Sequence, residues 1–199
     1  LETLRALGIA CQPCGHGVSA TIGHGGKVIL LRADMDALPM PEESGESFAC
    51  PTGTEAHACG HDFHAAMLLT AAKMLKENED SLQGTVKLMF QPAEEIFEGS
   101  HDMIEAGLLE NPKVDAALMI HVMAGMPFPA GTVIVSAPGV SAPAADYFEI
   151  KVQGKGCHGS MPNTGVDPLT AAAHILIALQ ELHARELAMD DRAVLTIGT

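Results

Sequence analysis

The chain has 199 residues, 47% hydrophobic and 18% charged, which is enough apolar material for a packed core and argues against disorder. With 25 acidic against 11 basic residues the formal charge is −14, and aromatics are 4% with no Trp, so phosphate backbones, anionic membranes and stacked bases are poor partners. No apolar run approaches the roughly 20 residues of a membrane span, so neither nucleic acid nor a membrane is expected as a partner.

Residues 2–8 fit the end of an amphipathic helix stopped near Gly8. The opening LETLRALGIA has neither a basic n-region nor a cleavage site, so a cytoplasmic location is expected, and the chain reads as a piece of a longer one. Of the 5 cysteines, Cys11 and Cys14 form a C-x-x-C with no second pair to complete a zinc ribbon, and the spacing is read as incidental. Residues 27–32 (KVILLR) are a short aliphatic run of the kind that forms a buried parallel strand. The run ends at Asp34-Met35-Asp36 and is followed by a Pro/Gly-rich loop over residues 39–53.

After the segment HACGHDFH (residues 57–64), Met67, Leu68, Ala71, Met74 and Leu75 recur at helical spacing and predict a helix over residues 62–76. A second strand is expected over residues 85–90, ending at QPAEE (residues 91–95), then a helix over residues 99–109. A third strand over residues 116–120 ends at His121. Strands alternating with helices predict an α/β domain with a mostly parallel sheet flanked by helices. Each chemically capable run sits just past the C-terminal end of a strand, where open α/β sheets bind ligands.

Composition turns small and Pro/Gly-rich at residues 136–143, a candidate hinge. Beyond it a strand (147–152), a helix (167–185) and a strand (193–197) are expected, the start of a second domain. The expected division is therefore a first domain over residues 1–140, lacking its N-terminal part, and an incomplete second domain over residues 141–199.

Asp34, Asp36, Cys59, His61, Glu94, Glu95 and His121 gather at the ends of successive strands. Singly, each has an ordinary explanation as a loop cap, an acidic turn or a satisfied histidine. Together they offer soft and borderline metal ligands, carboxylates and a group left over to carry a proton, the needs of a two-metal hydrolytic site. Cys59 and His61, two apart before a helix, can face one point, and Glu94 beside Glu95 lets one ligate while its neighbour acts as a base.

RADMDALP (residues 32–39), HACGHDFH, QPAEE, the strand end at His121 and GKGCHGSMPNTGVDP (residues 154–168) together resemble the dinuclear metallopeptidase and aminoacylase family. The resemblance is closest to its amidohydrolase branch, which includes hippurate hydrolases and indoleacetyl-amino-acid hydrolases. It implies a zinc-peptidase-like catalytic domain with a ferredoxin-like dimerisation and lid domain, and hydrolysis of small N-acyl amino acids in a homodimer. It also implies two divalent metal ions (Zn, Mn, Co or Ni) held by Cys59, His61, Glu95 and His121. Glu94 would be the general acid/base, Asp36 would sit behind the metals, and His158 would reach a partner subunit's site and stabilise the oxyanion. Much of the wider family has a metal-binding His where this chain has Asp34, whose role stays open. Two other readings remain: a catalytically silent metal-binding module, and a cysteine hydrolase with Cys59 as nucleophile and His61 or His57 as base.

Overall fold

The structure is a computed structural model that describes residues 1–139 and 144–198. The chain falls into two compact units, Leu1–Pro127 and Phe128–Thr199. The candidate hinge at residues 136–143 lies in the second, and its residues 140–143 lie outside the described residues.

The first unit opens with α1 (Glu2–Ala6), then β1 (Ala10–Cys14) and β2 (Gly17–Gly23). There follow β3 (Lys27–Asp34), α2 (His61–Glu77), β4 (Gly84–Gln91), α3 (Gly99–Glu105) and β5 (Ala116–Met119). The five strands form one sheet in the order β1-β2-β4-β3-β5. β3 runs parallel to both β4 and β5, with Asp34 opposite Gln91 and Arg32 opposite Met119. β1 and β2 are antiparallel to each other, and β2 is antiparallel to β4.

The sheet is thus mixed, which corrects the mostly parallel sheet expected from sequence. The difference is the β1–β2 hairpin, whose short polar and small residues carry little strand signal. Tertiary pairing makes it a strand pair: Val18 to Gly23 lie against Phe90 to Thr85 along the already buried β4.

β4 is the spine, buried on both faces from Thr85 to Gln91. On one face Val86, Leu88 and Phe90 meet Leu68 and Ala72 of α2, Ala20 and Ile22 of β2, and Leu4 and Ile9 around α1. On the other, Met89 packs with Leu30, Cys14 and Met103 of α3. Lys87 is buried on this strand, and its Nζ donates to the carbonyls of Leu108, Glu110 and Pro112 at 2.6, 2.7 and 3.1 Å, which anchors the loop after α3. The strand alternation also explains the C-x-x-C: three residues apart on β1, Cys11 joins the α2-side cluster and Cys14 the α3-side cluster, so the thiols emerge on opposite faces. Both are free.

In the second unit, α4 (Pro168–Arg185) starts where residues 167–185 were expected to be helical. Asp167 caps it by accepting from the amides of Leu169 (2.9 Å) and Thr170 (3.2 Å), with Pro168 in the first turn. An isolated bridge pairs Lys155 with Val166. The strands expected over residues 147–152 and 193–197 are not formed among the described residues. A strand is defined by its ladder, and no neighbouring strand is there to pair with them. No helix among the described residues is long and apolar enough to cross a membrane.

Leu88, fully buried at the centre of β4, sets the expected cost of a core defect: Leu88→Ala should destabilise the first unit by about 2–5 kcal/mol, read as a lower urea midpoint with unchanged slope.

Candidate metal centre

His61, His64, Leu68 and Ala72 are the buried positions of α2. Their spacing of three and four residues makes a single stripe along the helix. The stripe that seats α2 on the sheet therefore also drives two imidazoles into the floor of the site. Gly60 precedes the helix at φ +81°, and a Cβ there would lie 2.4 Å from Val122 Cγ2. Only glycine admits this close approach between the loop bearing Cys59 and the segment after β5.

The carboxylates come from the other strand ends. Past β3, Asp36 faces two ways: Oδ1 lies 3.3 Å from His61 Nδ1, and Oδ2 accepts from the Glu95 amide at 3.1 Å. The Asp36 carbonyl oxygen also lies 3.1 Å from His61 Nδ1. Burial tends to raise the Asp36 pKa, but amide hydrogen bonds from Glu95 and Glu94, its own backbone and the His61 charge outweigh it and hold the carboxyl below its ordinary value. Past β4 the chain turns sharply, with Ala93 at φ +51°. That conformation costs a non-glycine residue of order 1 kcal/mol. It aims both glutamates back over the sheet end, and Gly99 closes the turn, a Cβ there falling 1.5 Å from the Pro92 carbonyl oxygen.

At the centre His61 Nε2 is fully buried without a hydrogen-bond partner. Around it stand Asp34 Oδ2 at 3.7 Å, Glu94 Oε2 at 3.8 Å and Glu95 Oε1 at 3.8 Å. A buried imidazole nitrogen left unpaired among carboxylates fits a cation, because a cation satisfies the nitrogen and the negative charges together. Donor atoms of Cys59, His61 and His121 lie within 4.8 Å of one another, as do those of His61, Glu94 and Glu95, so His61 is common to two groups that could hold metal. Cys59 Sγ and His121 Nε2 are 3.5 Å apart.

Donor atoms of Asp34, His61 and His64 also lie within 4.8 Å of one another, but Asp34 and His64 have other partners. Asp34 Oδ2 pairs with Arg32 Nη1 at 2.7 Å, and Asp34 Oδ1 accepts from His64 Nδ1 at 2.5 Å. Arg32 Nε in turn donates to Gln91 Oε1 at 2.8 Å. Asp34 is thus fully buried within an Arg–Asp–His chain.

The structure thus brings together Asp36, Cys59, His61, Glu94, Glu95 and His121, with Asp34 beside them. His158 belongs to the second unit, where its Nδ1 lies 2.9 Å from Ser160 Oγ and accepts from the Ser160 amide at 3.2 Å. Sequence reasoning missed His64 and Arg32. Both signals were present, His64 three residues after His61 on one helix face and Arg32 two before Asp34 on the strand, but each also fits an ordinary surface residue. A cavity of about 610 Å³ lies at the opposite end of the strands, around Lys27, Gly84 and Asp115, away from this chemistry.

Burial, then Glu95, Glu94 and Asp34, push the Cys59 thiol up to about 11. At pH 7 about one thiol in 10⁴ would be ionised, which opposes a nucleophilic role. Of the two bases offered for that role, His57 is exposed.

Comparison with known proteins shows the family. The chain belongs to peptidase family M20/M25/M40, whose sequence model matches residues 30–192. It is 41% identical over 201 residues to an N-acetyl-L-cysteine deacetylase of Bacillus subtilis, covering 99% of this chain and 47% of that protein. It is 42% identical over 183 residues to an IAA-amino acid hydrolase of Arabidopsis thaliana, covering 92% of this chain and 40% of that protein. The chain thus spans about half or less of the length of the curated relatives it matches. A crystal structure of a dinuclear metal-binding M20 peptidase from Bacillus subtilis superposes with a TM-score of 0.59 at 38% identity, covering 63% of this chain and 36% of that one. The family resemblance read from the five motifs holds.

Because the thiol form of Cys59 persists up to a pKa of about 11, its alkylation by iodoacetamide in metal-free protein should rise about tenfold per pH unit above pH 8 and level off only near that value. Peptide mass mapping of Cys59 is the readout, and a plateau below pH 9 would contradict the electrostatics described.

Proposed function

We propose that the protein is a metal-dependent amidohydrolase that cleaves the amide bond of small N-acyl amino acids to a carboxylic acid and an amino acid. The observation that carries this reading is the buried, unpaired His61 Nε2 facing Glu94 and Glu95. Cys59, His61, Glu95 and His121 would hold two divalent ions, drawn from Zn, Mn, Co and Ni. Such ions polarise a carbonyl and lower the pKa of water from about 15.7 toward about 7.

The protein's own groups carry the remaining steps. Glu94 takes a proton from the attacking water and delivers it to the departing amine. Its neighbour Glu95 is positioned through its amide by Asp36, so the turn separates a ligating from a proton-carrying carboxylate by one residue. Asp36 also orients the His61 ring from behind, the role outer carboxylates play in sites of this kind. His158 donates to the oxyanion of the tetrahedral intermediate from a partner subunit in a homodimer, with residues 141–199 beginning a ferredoxin-like dimerisation and lid domain. Cytoplasmic location completes the proposal. The names of the Bacillus and Arabidopsis relatives, a deacetylase of an N-acetyl amino acid and a hydrolase of amino-acid conjugates, support the substrate class.

Glu94→Gln should lower turnover of N-acetyl and indoleacetyl amino acids by about 10²–10⁴-fold while leaving metal content near the parent value. Cys59→Ser should lower metal content itself. Both are read by elemental mass spectrometry beside a product assay, and a fully active Glu94→Gln protein would remove the general base from the scheme.

Metal uptake should also depend on pH. Loading that displaces the Cys59 proton, held by a thiol with pKa about 11, should tighten about tenfold per pH unit between pH 6 and 8 for each proton released. Calorimetric titration with Zn²⁺ in buffers of different ionisation enthalpy counts those protons.

A further inference from the structure

Asp34 and His64 are buried, lie outside the proposed ligand set and are left unused by the hydrolytic scheme. Their hydrogen bonds form one continuous path. Val122 donates its amide to His64 Nε2 at 2.8 Å, so that nitrogen is an acceptor and the ring proton sits on Nδ1. His64 Nδ1 donates that proton to Asp34 Oδ1. Asp34 is itself held by Arg32. At the far end, His121 Nδ1 donates to the Val122 carbonyl at 2.6 Å, which turns His121 Nε2 toward Cys59 Sγ. Val122 is thus gripped at its N–H by His64 and grips His121 with its C=O. The rings of His64 and His121 also stand edge to face, 4.5 Å between centroids at 67°.

We propose that His64, held by Asp34, is a positioning residue that sets His121 through the Val122 backbone. β5 is only four residues long and exposed along its length, so packing alone holds the segment after it weakly. The Gly60–Val122 contact brings the Cys59 loop against the same residue. Cys59, before α2, and His121, after β5, therefore share Val122 as their common reference. Arg32 keeps Asp34 from acting as a further ligand, so a carboxylate close to His61 orients instead of ligating.

The inference rests on the reading of Cys59 and His121 as metal ligands, and the experiment separates the two. Two variants divide the relay. His64→Gln can place an amide oxygen where Nε2 accepts from Val122, whereas His64→Asn can place an amide nitrogen where Nδ1 donates to Asp34 but cannot reach Val122. Each metal-free protein is titrated with Co²⁺, reading affinity and the sulfur-to-cobalt charge-transfer band, with circular dichroism as the folding check. His64→Asn should bind Co²⁺ about 10–100-fold more weakly with an altered band, and His64→Gln should stay within about threefold of the parent. Equal affinities in all three proteins, equal losses in both variants, or the reverse order overturns the relay. Two unfolded variants also overturn it, since His64 would then be a core element only. Cys59→Ser is the separate control: if it binds Co²⁺ like the parent, the ligand reading fails, whatever His64 does.

Discussion

The site depends on one buried imidazole held from behind. His61 could not sit at zero exposure with its Nε2 unpaired unless its other nitrogen were fixed, because a free ring would rotate to satisfy itself. Asp36 prevents this, and the same carboxylate receives the Glu95 amide. One side chain past β3 thus sets both the His61 ring on α2 and the acidic turn past β4. The helix stripe and the Ala93 turn bring their residues to that carboxylate from two directions.

The sheet explains why these groups converge. β3 lies between β4 and β5 and is parallel to both, so the crossover through α2 leads to one side of it and the crossover through α3 to the other. The crevice opened at such a switch lies outside the carboxyl ends of the strands. Asp34 ends β3, and Asp36, Glu94 and Glu95, and His121 follow the three strand ends.

Much of this was legible in the chain. The aliphatic runs of β3 and β4 and the apolar period of α2 carry signals strong enough to place the elements, and the polar residues just beyond them mark the crevice. The hairpin was not legible, since Ser19 becomes a strand residue only because β4 offers a partner edge, and Gln12 and Pro13 only because β2 in turn does. The metal-capable groups could be named from residue type and spacing, but the braces could not. That Asp36 serves two elements, or that Asp34 is neutralised by Arg32 and bound by His64, depends on distances between residues far apart in sequence. Asp34 shows the limit best: an acid two residues before another acid suggests a ligand, and only the structure shows it paired with the half-buried Arg32.

The opposite exposures of Cys11 and Cys14 have a practical consequence. Cys11 is half-buried near the chain start, its Sγ donating to the Leu1 carbonyl, whereas Cys14 lies beneath α3, donating to the Met103 carbonyl. A thiol reagent in solution reaches Cys14 only when β1 peels from β2 or α3 lifts from the sheet. Its labelling rate is therefore a clock for that local opening, with Cys11 three residues away as the internal standard for intrinsic reactivity. The chain contains its own gauge of how often this edge of the sheet comes apart while the rest stays folded.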